Sequence, residues 1–168
     1  MSEEPSRSGP GGAQRWADYL DWMRGEMVRG VLALPYDDQR TSRVPSGWTP
    51  LELLHHVLHM EQRWFVWGFL AEPVVEPWGD WSSPGPGSPD ARWAVPSHVT
   101  AEDLASRLDA AGVRTRGVLR DFPLDATAST GGRFDDDPPT LEWICFHVLQ
   151  EYARHAGHLD IVAEQSRD

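Results

Sequence analysis

The sequence predicts an all-α protein, an up-and-down four-helix bundle with long loops, on three observations. Four segments of roughly twenty residues carry apolar side chains at helical spacing. Pro- and Gly-rich stretches separate them. No segment alternates apolar and polar residues over the length of a strand, beyond short pieces such as Val74-Val75.

The first helix is expected over residues 13–33, where Trp16, Leu20, Met23, Met27 and Val31 recur at i, i+4, i+7 spacing. "LPYDDQRTSRVPSGW" then reads as a loop. The second helix has a clear start. Thr49 is an N-cap, Pro50 suits the first helical position, and Glu52 completes a T-x-x-E capping box, so the helix should run to about 71. "EPVVEPWGDWSSPGPGSPDARWAVPSH" follows, with six prolines and three tryptophans. A loop of that length in a compact domain is functional or disordered. Trp78, Trp81 and Trp93 favour partial order, because a wholly solvated tryptophan costs solubility.

Thr100 and Asp103 form a second capping box and open a third helix over 100–121, with Leu104, Leu108, Ala111, Val118 and Leu119 as its apolar stripe. After the loop "FPLDATASTGGRFDDDPP", the Asp137-Pro138-Pro139 end should cap and start the fourth helix, over about 138–165.

At 168 residues the chain should form one domain, over 13–165, behind a short disordered tail of residues 1–12. The net charge of −11 argues against nucleic-acid or anionic-membrane partners, which need a basic face. No signal peptide is visible and no apolar run approaches the roughly 20 residues needed to cross a bilayer. The single cysteine, Cys145, cannot form an internal disulfide, which fits a reducing cytoplasm. Its helical position turns it away from His147, so it reads as a core filler.

The chemistry concentrates in "LEWICFHVLQEYARHAGHLD". With about 100° per residue, setting His147 at zero puts Glu151 at about 40°, His155 at about 80° and His158 at about 20°. These four share one stripe, flanked by Leu141, Ile144, Val148, Tyr152 and Leu159. Imidazoles and a carboxylate beside a buried face are costly unless they are paired or bound to a cation. "LLHHVLHMEQRW" in the second helix supplies His55, His56, His59 and Glu61 as complements. One histidine from it, with the Glu-x3-His pair, would make three ligands and leave a fourth position open, as in catalytic zinc sites. The same donors suit Ni²⁺, Fe²⁺ or Mn²⁺. Periodicity alone leaves His56 and His59 nearly tied.

"GWTPLELLHHVLHMEQRWF" and "LEWICFHVLQEYARHAGHLDIVAE" together resemble the DinB-like (YfiT-type) superfamily of metal-binding four-helix bundles. The resemblance is nearest the mycothiol-dependent maleylpyruvate isomerase N-terminal domain. It covers residues 13–165 and implies a metal triad of His56, Glu151 and His155, which breaks the tie in favour of His56. It also implies a divalent metal, zinc first, and a low-molecular-weight thiol such as mycothiol used in S-transfer or isomerisation of a small-molecule substrate. On that reading His158, Arg154 or His59 assists proton transfer, and Trp78, Trp81, Trp93 and Tyr152 line the substrate pocket. His147 is left as a core histidine, and a homodimer stays open. Two other readings use the same residues: a hydrolase or isomerase working through metal-activated water without a thiol, and a non-catalytic metal-binding stress protein.

Overall fold

The computed structural model describes residues 3–74 and 94–166, and over these the chain is helical, its one extended pairing being the isolated bridge Thr127–Thr140. Helix α1 spans Ala13–Leu32, the one-turn α2 Tyr36–Gln39, α3 Pro50–Glu61, α4 Ala101–Asp121 and α5 Leu141–Gln165. Both expected capping boxes are present. Thr49 and Thr100 each accept from the backbone N–H three residues on, and the carboxylates of Glu52 and Asp103 reach back to the cap N–H groups.

α1 packs along α4 and α5, and α3 along α4 and α5. Leu20, Met27, Leu54, Leu58, Leu104, Leu108, Ile144 and Val148 meet at the centre, each with no exposed surface. These residues stand on the stripes that their spacing predicts, so each helix is held mainly by burial of its apolar face.

Three elements differ from the sequence expectation. First, α3 does not continue as an α-helix. Gln62–Phe69 winds more widely, as a π-helical segment, with the Leu70 N–H donating to the Phe65 carbonyl at 3.2 Å. Its end is tied down by a loop: Arg133 and Ser129 donate backbone N–H groups to the carbonyls of Trp67 and Phe69 at 3.2 and 2.9 Å. Gly132 permits that approach, since a Cβ there would stand 2.3 Å from the Trp67 carbonyl oxygen.

Second, α5 starts at Leu141 and its cap is Thr140, not Asp137, which adopts a positive φ of 50° in the preceding loop. The first N–H groups of α5 are satisfied by that loop, Leu141 donating to Ala126 and Glu142 to Leu124, both at 2.9 Å. Third, "YDDQ" closes one helical turn inside the stretch that reads as loop.

At the N-terminus, where a disordered tail is the sequence expectation, Arg15 donates to the Gly9 carbonyl and Tyr19 to Glu4, both at 3.0 Å.

A buried polar cluster joins all four long helices. Glu61, at the end of α3, is 1% exposed, and Arg24 of α1 is 5% exposed. The guanidinium donates Nε to Glu61 Oε2 at 3.0 Å and Nη2 to Oε1 at 2.6 Å. Thr115 of α4 and Tyr152 of α5 donate their hydroxyls to the same carboxylate, each at 2.5 Å. Burial, then the Glu61 carboxylate, raises the Tyr152 phenol far above its ordinary value, so it stays protonated and remains a donor. The carboxylate thus has four donors from three helices, which is how a charge is tolerated in this interior.

Candidate metal centre

Glu151 and His155 stand four residues apart on α5, so one turn of helix stacks them on the face toward α3. His56, in the second turn of α3, meets them there. The ligand-capable atoms of His56, Glu151 and His155 all lie within 4.8 Å of one another, and all three residues are partly buried. His155 Nε2 is 3.4 Å from Glu151 Oε2, and the His56 and His155 rings pack edge to face with centroids 4.7 Å apart. No other group of three or more such side chains comes together among the described residues.

The electrostatics suit cation binding. Burial, and then the neighbouring His155 and Arg63, hold His56 down to about 3, so its imidazole is neutral at pH 7. A hydrogen bond from His155 holds the Glu151 carboxyl down to about 2, against the opposing effect of burial, so it is ionised. Ligation requires both of these protonation states. In addition, His155 Nδ1 is buried and makes no hydrogen bond to the described residues. Two imidazoles and a carboxylate on two helices, with no fourth donor among the described residues, fit a divalent cation that keeps a coordination position open to a ligand.

The surroundings sort the other predicted residues. Arg154 donates to Glu151 Oε1 at 3.3 Å and is half exposed, so it orients the carboxylate from the solvent side. His158 is exposed, its ring 5.6 Å from that of His155 and 6.2 Å from that of Trp48. His59 is buried beside His55, with their Nε2 atoms 3.0 Å apart, and it is not drawn into the triad. Tyr152, expected on the pocket wall, is fully buried with its hydroxyl on Glu61, because it lies about 100° round α5 from Glu151. Trp78, Trp81 and Trp93 lie outside the described residues.

Two features escaped sequence reasoning. One is the Glu61 cluster. The other is the placement of His147, read from the sequence as a core histidine. Its ring is partly exposed and packs against two tryptophans, 4.2 Å from Trp64 and stacked on Trp143 at 5.3 Å and 12°. Trp143, His147, Glu151 and His155 recur every four residues, a ladder that was available as a signal had the stripe been followed one step toward the N-terminus.

Residues 16–168 match the protein family described as mycothiol-S-transferase. No curated protein and no solved structure matches the chain. No helix among the described residues is long and apolar enough to cross a membrane.

Proposed function

The chain belongs to the mycothiol-S-transferase family, a DinB-like family, and from that premise we propose that it is a metal-dependent transferase acting through a low-molecular-weight thiol, mycothiol first, on an up-and-down four-helix bundle. The observation that carries the reading is the convergence of His56, Glu151 and His155 from two helices, with donor atoms inside 4.8 Å. A divalent cation held there, zinc by preference, would favour the thiolate form of a bound thiol, and the thiolate is the nucleophilic form.

The chain's own residues do the rest. His56 presents a neutral nitrogen and Glu151 a fixed negative charge, which together favour a doubly charged ion. Arg154 holds one Glu151 oxygen, leaving the other toward His155. His158 is an exposed imidazole beside the triad, placed to accept the thiol proton and pass it to water. Tyr152 and Glu61 lock the adjoining turns of α5 and α3, so that ligands on separate helices keep their spacing.

The test is consumption of an electrophilic substrate such as a bimane halide by the zinc-loaded protein, with and without mycothiol. The reading expects thiol-dependent conjugate formation, with release of halide, faster than the uncatalysed reaction of the same thiol, and loss of that excess rate in His56→Ala. Turnover of equal rate without thiol would instead mark chemistry driven by activated water.

A further inference from the structure

From the triad toward the start of α5, the α3–α5 seam becomes aromatic. Along α5, Trp143 precedes Glu151 by eight residues, about 12 Å of helix, on the same four-residue ladder. Across the seam Trp64 lies eight residues beyond His56. It meets the far end of the ladder, its ring 4.2 Å from that of His147 and 5.7 Å from that of Trp143. The Arg133 guanidinium lies 4.2 Å over the Trp64 ring and fixes it. Trp64 is buried, whereas Trp143 is 52% exposed and continues the stack into solvent. A large apolar ring left half open about 12 Å along the helix from a polar centre, and held by contacts with two other rings, is shaped to receive another ring.

We propose that Trp143, backed by His147 and Trp64, is a stacking platform for the sulfur-free, ring-bearing arm of the thiol whose sulfur sits at the triad. This rests on the thiol reading above and extends it to a second point of contact. The distance selects the thiol over the acceptor. An acceptor must bring its reacting atom to within about 3–3.5 Å of the sulfur, which keeps its body near the triad. The thiol instead is anchored at its sulfur and must place the rest of its length elsewhere. In mycothiol the cysteine is joined to a sugar–cyclitol glycoside, whose C–H faces pack on an indole while its hydroxyls stay in water. A half-exposed Trp143 meets both needs.

The experiment is calorimetric titration of full-length zinc-loaded protein with mycothiol and with N-acetylcysteine, which lacks the glycoside. Trp143→Ala should raise Kd for mycothiol roughly fivefold to tenfold and leave that for N-acetylcysteine within about twofold. Trp143→Phe should recover most of the loss, and every variant should stay folded, with Tm lowered by no more than a few degrees for loss of the two ring contacts. Equal weakening of both thiols, or of neither, overturns the platform. If neither thiol binds the wild type, the thiol reading fails on its own, and the glycoside without cysteine, titrated into EDTA-treated protein, judges the platform. Saturable binding that Trp143→Ala abolishes retains it; no binding, or binding unchanged in the variant, overturns it.

Discussion

Replacing Arg24 by Leu would leave the Glu61 carboxylate in a site where it is 1% exposed, stripped of its two guanidinium bonds at 3.0 and 2.6 Å. Removing one partner of a buried ion pair costs about 3–5 kcal/mol, most of it the penalty of the stranded charge. Thr115 and Tyr152 still donate at 2.5 Å, which places the expected loss near the lower end. Against a total stability of about 5–15 kcal/mol, a loss of about 3 kcal/mol is large. With a slope near 2 kcal/mol per molar, the urea midpoint should fall by roughly 1.5 M. Adding Glu61→Leu should restore most of the stability, less the cost of the two orphaned hydroxyls, about 1–2 kcal/mol. A deficit below about 1 kcal/mol would refute this account of the cluster.

Gly112 faces the same guanidinium, and a Cβ there would stand 2.5 Å from Arg24 Cζ, so Gly112→Ala should cost about 1–3 kcal/mol in urea unfolding by pushing Arg24 off Glu61. Cys145 has no exposed surface, and burial raises its thiol to about 12; native protein should therefore resist iodoacetamide at pH 8 and react once unfolded, as mass spectrometry would show. Burial, and then His55 and Arg107, lower His59 to about 3 in the folded protein. The unfolded chain binds its proton first, so stability is lost as pH falls from about 6.5 toward 3, at no more than about 1.4 kcal/mol per pH unit for this group. His59→Gln should flatten that limb of a stability–pH curve.

Features set by neighbouring residues were legible in the sequence. The caps at Thr49 and Thr100 need only a hydroxyl and a carboxylate three residues apart, and both form. The Glu151–His155 pairing follows from the helical repeat alone. The choice of His56 over His59 did not follow from periodicity, because both neighbour the apolar stripe. It came from the family resemblance, and the structure places His56 beside the pair and His59 beside His55. What stayed hidden depends on contacts between distant segments. Arg24 and Glu61 are 37 residues apart, and Glu61 and Tyr152 are 91 apart. The widened winding after Glu61 accompanies loop 129–133 docking on its carbonyls, and no local propensity signals that. The start of α5 was misplaced because Pro138 and Pro139 suit a first helical turn, whereas the Ala128 and Leu141 pairings hold that segment extended.

The most direct test of the metal centre is metal content per chain, by elemental analysis after zinc loading and dialysis, for wild type and for His56→Ala, Glu151→Ala and His155→Ala. The account predicts one ion per chain in the wild type and none retained in any of the three, with far-ultraviolet circular dichroism unchanged. Stoichiometric zinc retained by a folded His155→Ala protein would contradict it.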